Sequence, residues 1–252
     1  MRHLRRAQIP FAEPRSVGTI RVPGHLRYAE AMHSRPPRIG LLGDIHAEDG
    51  SVALALRAFA DVGVDHIMAV GDIVDGPGSV ERCCELLAAA GATVVRGNHD
   101  RWLLAGTMRE LPYATLTLGA EARAFLAALP ATRRIDVPGG QLLLCHGLDD
   151  DDMASVSLDA DAMSIRHNPP LERLIDADEP LWVLAGHTHR RGVWSYRRLI
   201  VINAGTLFRE HEPCFAVVDL AGQEVTYFDL HPGGRVHRQA SVPLPPPRGA
   251  RR

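Results

Sequence analysis

Five short apolar segments of this 252-residue chain each end at a small cluster of glycine with Asp, Asn or His. Continuous apolar segments of this length, bounded by glycine, are typical of buried parallel strands. In an open α/β sheet, the residues beyond the carboxyl ends of the strands line the edge where ligands bind. We therefore expect the five clusters to meet at one metal site. They are Gly43-Asp44-Ile45-His46, Gly71-Asp72, Gly97-Asn98-His99-Asp100, His146-Gly147 and Gly186-His187-Thr188-His189.

The spacing within the clusters supports a metal site. Residues i and i+2 of an extended segment point to the same face, and Asp44 with His46 and His187 with His189 have this spacing. No cysteine falls at a natural ligand position, so the donors are oxygen atoms and imidazole nitrogens. Such a mixed set suits Mn, Fe, Zn, Co or Ni better than Ca or Mg.

The order of the five motifs resembles that of the calcineurin-like metallophosphoesterases, from about residue 38 to about residue 230. Each motif alone is weakly specific, whereas all five in this order and spacing are highly specific. The resemblance implies an α/β fold with mixed sheets in a four-layer αββα sandwich, formed by a single domain. It also implies a centre of two divalent transition metal ions, which are Mn, Fe, Ni, Co or Zn.

The resemblance further implies a role for each cluster residue. Asp72 would bridge the two ions, His99 would be the catalytic histidine, and Asp100 beside it would orient the His99 ring. The implied ligands are Asp44, His46, Asp72 and His189 for one ion, and Asp72, Asn98, His146 and His187 for the other.

This ligand set predicts a specific chemistry. Two divalent ions outweigh the charges of Asp44, Asp72 and a bridging hydroxide, so the site attracts a phosphate anion. Two metals roughly 3.5–4 Å apart can clamp both the attacking and the leaving oxygen of an in-line displacement. We expect a phosphoric ester hydrolase that cleaves a small phosphomonoester or phosphodiester by attack of the bridging hydroxide. His99 would protonate the leaving oxygen.

The second motif indicates the branch of the superfamily. Protein Ser/Thr phosphatases carry Arg at the position of Gly76, so the chain looks more like the small bacterial-type phosphoesterases. Two alternatives stay open, a nuclease or nucleotide phosphodiesterase and a catalytically inert scaffold with the same fold. Retention of His99 and all seven ligands disfavours the scaffold.

The pattern of elements predicts three parts of the chain. Residues 1–37 form a basic arm, residues 38–232 the metallophosphoesterase domain, and residues 233–252 a Pro- and Arg-rich tail. The β-α-β-α-β order at the start of the domain gives parallel strands with right-handed crossovers. Residues 148–180 lie between two ligand clusters, and we expect this insertion to cap the site.

The distribution of charge bears on the substrate. All 28 basic residues are Arg, and residues 1–38 carry a balance of +6 and residues 233–252 a balance of +5. The segment between them carries −13. Proteins that bind nucleic acid normally show a basic stripe beside the site, so we expect a small phosphoester or nucleotide and not a nucleic acid. Arg96 and His167 are weaker candidates for substrate contacts.

The apolar segments, the N-terminal segment and the cysteines bear on the location of the protein. No segment approaches the roughly 20 apolar residues that span a bilayer, and the N-terminal segment lacks the apolar region of a secretory signal. The four cysteines form no recognisable disulfide framework, which favours a reducing compartment. We expect a cytoplasmic protein that needs no membrane, and the sequence does not define its oligomeric state.

Overall fold

A computed structural model of the chain describes residues 35–107, 109–157, 160–176 and 181–245. Most of the predicted N-terminal arm, residues 1–34, and the last seven residues of the predicted tail therefore lie outside the described residues. No helix in the described part of the chain is long and apolar enough to cross a membrane.

The apolar segments form strands at the predicted places. The described residues contain twelve strands in two sheets. In chain order they are β1 Arg38–Leu42, β2 His66–Ala69, β3 Thr93–Val94, β4 Thr132–Val137, β5 Gly140–Cys145, β6 Leu181–Ala185, β7 Gly192–Tyr196, β8 Leu199–Asn203, β9 Cys214–Asp219, β10 Glu224–His231, β11 Arg235–Arg238 and β12 Val242–Pro243.

Helices connect the parallel strands and cover both sheets. The second helix begins with Ser79 as its N-cap, whose hydroxyl accepts a hydrogen bond from the Arg82 N–H, a preferred start for a helix. The helices are α1 Asp49–Val62, α2 Val80–Ala89, α3 Asn98–Leu104, α4 Ala120–Ala128, α5 Ala162–Arg166 and α6 Pro169–Ile175.

Both sheets are mixed. The first has the order β11-β10-β9-β1-β2-β3, with β12 also pairing with β10, and its β1, β2 and β3 are parallel. The second has the order β4-β5-β6-β8-β7, in which β5, β6 and β8 are parallel. Each sheet therefore presents the carboxyl ends of three adjacent parallel strands, as the sequence predicted for the strands that precede the clusters.

Three apolar cores separate four layers. Successive residues of a strand point to opposite faces, so Leu42 packs under the helices of the first sheet while Leu41 packs between the sheets. In the second sheet, Leu142 packs between the sheets and Leu143 packs against the outer helices α5 and α6. The inner strands β6 and β8 are buried along their whole length because both of their faces are covered. The predicted α/β fold, a four-layer αββα sandwich, is confirmed.

The expected cap over the site is wrong for the helical part of the insertion. Leu171 and Leu174 of α6 are buried together with Leu143 and Val183 of the second sheet. Helices α5 and α6 therefore form the outer layer of the sandwich, because the second sheet would otherwise expose an apolar face. Residues 158–159 and 177–180 of the insertion lie outside the described residues.

The predicted start of the tail at residue 233 is also wrong. Strand β11 pairs with β10 over residues 228–231, and β12 pairs with Glu224 and Val225. Leu244 is only 4% exposed and packs into the core between the sheets. The folded domain therefore extends to at least this residue.

Candidate metal centre

The strand ends of the two sheets converge on one site. Asp44 follows β1, Asp72 follows β2 and Asn98 follows β3, while His146 follows β5 and His187 follows β6. A hydrogen bond of 2.9 Å from the backbone N–H of His187 to Asp44 Oδ1 joins the second sheet to the first. All seven predicted ligands lie at this edge.

A first group of donors consists of Asp44, His46 and His189. Their ligand atoms lie within 4.8 Å of one another. The Nε2 atoms of His46 and His189 are 3.1 Å apart, and Asp44 Oδ1 is 3.8 Å from His189 Nε2. Asp72 Oδ2 lies 4.0 Å from His46 Nε2, so the four residues predicted for one ion are together.

A second group lies on the other side of Asp72. Asp72 Oδ2 is 3.3 Å from His146 Nε2, and Asn98 Oδ1 is 2.8 Å from the same nitrogen. Asn98 Oδ1 is also 3.1 Å from His187 Nδ1. The carboxylate of Asp72 thus contacts both groups, which is the position that a shared ligand needs.

Backbone carbonyls orient two of the imidazoles. His46 Nδ1 lies 2.9 Å from the carbonyl oxygen of Asp75, and His146 Nδ1 lies 2.8 Å from that of Val70. A carbonyl oxygen only accepts hydrogen bonds, so both Nδ1 atoms carry a proton. The Nε2 atoms therefore face the cluster, an orientation that metal-binding histidines commonly obtain from such partners.

The donor set fits a cation. Asp44 Oδ2 is buried and has no hydrogen-bond partner, and the buried Asn98 Oδ1 and Asp72 Oδ2 lie within 3.3 Å of His146 Nε2. Buried acceptors without donors are costly, and a positive ion between them removes that cost. The nitrogen and oxygen donors suit divalent transition metals. The residues present therefore fit the divalent transition metal ions that the sequence predicted.

Burial and neighbouring charge set the protonation of these groups. Burial raises the pKa of Asp44 to about 6, against the opposing effect of His146. Burial alone would also raise the pKa of Asp72, but the imidazoles of His146 and His99 outweigh it and lower the pKa. Burial lowers the pKa of His189 to about 3, helped by the adjacent His46. His189 is therefore neutral, the form of imidazole that binds metal.

His99 faces the same centre. Its Nε2 lies 4.0 Å from Asp72 Oδ2, and its backbone N–H donates to Asp72 Oδ1 at 2.8 Å. Its Nδ1 lies 2.8 Å from Asp75 Oδ2. Burial tends to lower the pKa of His99, but the hydrogen bond with Asp75 and the charge of Asp72 outweigh burial and raise it.

The expected contact between Asp100 and the His99 ring is wrong. The Asp100 carboxylate accepts backbone hydrogen bonds from Gly97 (3.0 Å), Ile73 (2.9 Å) and Val74 (3.2 Å). It therefore ties the start of α3 to the loop after β2. Burial and the nearby Asp72 raise the pKa of Asp100 to about 6.

The backbone at the site is unusual. His46, Asp72, Asp75, His187 and His189 have φ angles of 46°, 48°, 61°, 67° and 58°. Residues with a Cβ seldom adopt this left-handed region, and each such residue costs on the order of 1–3 kcal/mol. Such strain is typical of functional sites, where it aims side chains that regular strands would direct elsewhere.

Two motif glycines are required by close approach. A Cβ at Gly97 would lie 2.1 Å from Asp72 Oδ1, so any side chain there would displace the shared carboxylate. A Cβ at Gly76 would lie 1.6 Å from the His46 carbonyl oxygen. The loop after β2 therefore has no room for the Arg that protein phosphatases carry at this position.

The two candidate substrate residues take no part in the ligand contacts described above. Arg96 is half-buried, and its backbone N–H donates to the Pro130 carbonyl at 2.8 Å. His167 is exposed, and its Nδ1 lies 2.9 Å from the Met163 carbonyl, near the outer helices. Their contact with a substrate stays a prediction.

Sequence reasoning missed two histidine partners. Asp75, the partner of His99, stands three residues after Asp72 in the second motif. This position beside a predicted ligand was the only feature of the sequence that could have indicated its role. His211 comes from the loop after β8, and its Nδ1 lies 2.6 Å from the Nδ1 of His189. No motif marks His211 in the sequence.

Comparison with known families now agrees with the geometry. The profile of the calcineurin-like phosphoesterase superfamily domain matches residues 38–223. The chain belongs to this superfamily. No curated protein gave a significant match.

Several solved structures share the fold. A metallophosphoesterase from Sphaerobacter thermophilus is 24% identical, with coverage of 78% of this chain and 89% of its own and a TM-score of 0.57. A hypothetical protein from Pyrococcus horikoshii OT3 is 18% identical, with coverages of 76% and 87% and a TM-score of 0.61. Yfce, a phosphoesterase from E. coli, is 14% identical, with coverages of 82% and 100% and a TM-score of 0.51.

Proposed function

We propose that the protein is a metal-dependent phosphoesterase that hydrolyses a small phosphomonoester or phosphodiester. The observation that carries this proposal is the buried donor cluster, in which Asp44 Oδ2 has no partner and Asp72 contacts both groups of ligands. A cluster with this many acceptors and so few donors is built for cations. Two cations in such a site attract and orient a phosphate group.

The metal ligands and His99 have separate roles in the proposed reaction. When bound, two divalent ions would neutralise phosphate charge and lower the pKa of a bound water molecule. Asp75 holds the His99 ring with its Nε2 towards the centre. From there His99 donates a proton to the leaving oxygen, as a general acid does. The residues that would hold the ions are Asp44, His46, Asp72, Asn98, His146, His187 and His189.

The surroundings favour a small substrate. A groove of about 770 Å³ opens beside His187 and His189, and Arg190 and His211 also line it. This volume lies within the range of about 300–1,000 Å³ that is usual for small-molecule sites. The central part of the chain carries −13, which repels an extended polyanion more than a small ester.

Metal removal and replacement test the proposal. The protein is stripped with a chelator and assayed on phenyl and nitrophenyl phosphomonoesters and phosphodiesters with Mn, Fe, Co, Ni, Zn, Mg or Ca. We expect the stripped protein to be inactive and a transition metal to restore activity better than Ca. His146→Ala should abolish the restored activity, whereas His237→Ala, at an exposed position, should not. Full activity of the stripped protein would refute the proposal.

A competition assay tests the nuclease alternative. Single-stranded DNA or RNA is added to the small-ester assay at low and moderate salt. We expect no cleavage of the polymer and no inhibition. Efficient cleavage, or tight binding that weakens steeply with salt as phosphate contacts do, would favour a nuclease instead.

A further inference from the structure

The Asp75 carboxylate is saturated with hydrogen bonds. It is 1% exposed, and each of its oxygens accepts two bonds. Oδ2 accepts from His99 Nδ1 at 2.8 Å and Arg109 Nε at 2.7 Å. Oδ1 accepts from Arg109 Nη2 at 3.0 Å and the backbone N–H of Thr115 at 2.8 Å. A carboxylate has about four acceptor sites, so its orientation is fixed by these partners.

Arg109 supplies two of these four bonds. Its side chain is 8% exposed, and its remaining donors reach the carbonyl oxygens of Thr107 at 2.8 Å and Thr115 at 3.2 Å. Four of the five N–H groups of a guanidinium are thus directed at protein acceptors. The two parallel bonds to Asp75 are the bidentate geometry that Arg provides and Lys does not.

From these contacts we propose that Arg109 is a positioning residue for the catalytic step. It clamps the Asp75 carboxylate in the plane in which this group accepts a hydrogen bond from His99 Nδ1. That bond holds the ring by its Nδ1–H, both in the imidazolium that donates from Nε2 and in the neutral ring left after the transfer, and it directs Nε2 towards the centre. The proposal rests on the proposed role of His99 as a general acid, and it gives the segment between α3 and α4 a part in catalysis.

Removal of the Arg109 guanidinium would take two of the four hydrogen bonds from the Asp75 carboxylate. Without Arg109, the Asp75 carboxylate would keep only the bonds from His99 and Thr115, one on each oxygen. A buried carboxylate with open acceptor sites is unstable, and it would rotate or draw in water to fill them. The His99 ring would follow, so its Nε2 would spend less time aligned with the leaving oxygen.

Kinetics with two leaving groups distinguish positioning from other roles. Arg109→Ala should lower kcat for a phenyl ester by about 10–100-fold, the usual effect of a residue that orients a reacting group. The loss should be smaller for a nitrophenyl ester, because nitrophenolate needs little protonation. KM should change little, because the guanidinium is already bound to protein. A raised KM with unchanged kcat would show that Arg109 binds substrate and would overturn the proposal.

Matched variants separate this role from simple support of the segment. Tyr113→Phe removes the 2.7 Å bond from the Tyr113 hydroxyl to Glu210 in the same segment and should leave both rates unchanged. Arg109→Lys keeps the charge but lacks the two parallel N–H groups of the guanidinium. Its rate on the phenyl ester should therefore stay close to that of Arg109→Ala. Added guanidinium ion should restore part of the phenyl ester rate of Arg109→Ala. Equal losses for both esters in Arg109→Ala, without rescue, would mean that Arg109 only supports the fold.

A spectroscopic measurement is independent of activity. Nitrogen-15 NMR of the metal-free protein, at a pH high enough to leave the His99 ring neutral, reports which of its two ring nitrogens carries the proton. We expect Nδ1–H in the unmodified protein and in Tyr113→Phe, and a tautomer mixture in Arg109→Ala and Arg109→Lys. An unchanged tautomer in both Arg109 variants would overturn the positioning role. If the unmodified protein hydrolysed no ester, the proposed function would fail. The NMR measurement would still show whether Arg109 maintains the contact between Asp75 and His99 Nδ1.

Discussion

The Nε2 atoms of His46 and His189 lie 3.1 Å apart, so both rings direct a nitrogen at the same point of the cluster. His46 directs its Nδ1 at the carbonyl oxygens of Val74 and Asp75, so its Nε2 faces the cluster. His189 is neutral, because burial and the nearby imidazoles lower its pKa to about 3. Such a pair of rings is stabilised by a cation placed between the nitrogens and Asp44.

We expect transition metal to stabilise the fold. A ligand at 100 times its Kd stabilises the folded state by about 2.7 kcal/mol, and a domain of this size gains about 2–4 °C in Tm per kcal/mol. Mn or Zn should therefore raise the Tm of the stripped protein by about 5–10 °C, and Ca by less. His189→Ala should reduce the shift, and Arg235→Ala, at an exposed position of β11, should not. Thermal unfolding that is the same with chelator and with metal would contradict the site.

Asp72 should control the number of bound ions. Its Oδ2 lies 3.3 Å from His146 Nε2 and 4.0 Å from His46 Nε2, so its loss removes a ligand from both groups. Asp72→Ala should lose two metals per chain, whereas Asn98→Ala should keep the ion bound by Asp44, His46 and His189. Elemental analysis of the folded variants gives the count. Two retained metals in Asp72→Ala would show that this carboxylate is not shared.

His99 should act on the leaving group without being needed for metal. His99→Ala should keep its metal content and lose about 10²–10⁴ in turnover, the usual contribution of a general acid. The loss should be smaller for a nitrophenyl ester than for a phenyl ester, because the better leaving group departs without a proton. Steady-state rates on the two esters are the measurement. The same loss on both would assign His99 another role.

The ligands were predictable because the strands leave few alternatives. In β1, Leu41 and Leu42 point into different cores, so the segment had to be a strand buried on both faces. The polar residues after it then lie at the sheet edge. Strand β11 was not predictable, because all four of its residues are exposed and no apolar alternation marks it. Helix α6 did carry a signal, Asn168 as N-cap before Pro169 and Pro170, which is a preferred helix start.

The partner of His99 was missed for a geometric reason. Neighbouring residues on a helix do not face each other, so Asp100 cannot reach the ring of His99 when both lie in the first turn of α3. Asp100 instead turns back to the Gly97 N–H. Asp75 reaches the ring because its φ of 61° turns the chain back towards α3, and a strand pattern does not predict such a turn.

The left-handed backbone predicts an unusual order of stabilities. At His189, with φ of 58°, a Cβ costs roughly 1–2 kcal/mol, which exceeds the roughly 0.5–1 kcal/mol that Gly loses in chain entropy. In metal-free protein, His189→Gly should therefore be at least as stable as His189→Ala. At His99, inside α3, the order should reverse. Urea unfolding of the four variants with chelator gives the comparison, and the same order at both sites would exclude backbone strain.

The buried carboxylate of Asp44 should make the metal-free protein less stable as pH rises. Its pKa is raised to about 6 by burial from its ordinary value of 3.8, so the folded state holds a proton that the unfolded state has released. This stabilisation is complete below about pH 4 and is lost as pH rises through about 6. Two pKa units correspond to about 3 kcal/mol, which is the upper limit for this group.

Asp44→Asn separates this cost from the benefit of metal binding. The amide keeps an oxygen that accepts from the His187 N–H and it cannot ionise. The stability of the variant should therefore not fall as pH rises through the pKa of Asp44. With chelator, the free energy of unfolding of the variant should rise relative to that of the unmodified protein by up to about 2 kcal/mol between pH 4.5 and pH 7.5. With Mn at pH 7.5 the order should reverse, because the ionised carboxylate binds the cation and the amide binds it weakly. Urea unfolding at both pH values measures the gap. A gap that is the same at both, with chelator, would mean that Asp44 is ionised in the folded protein throughout this range.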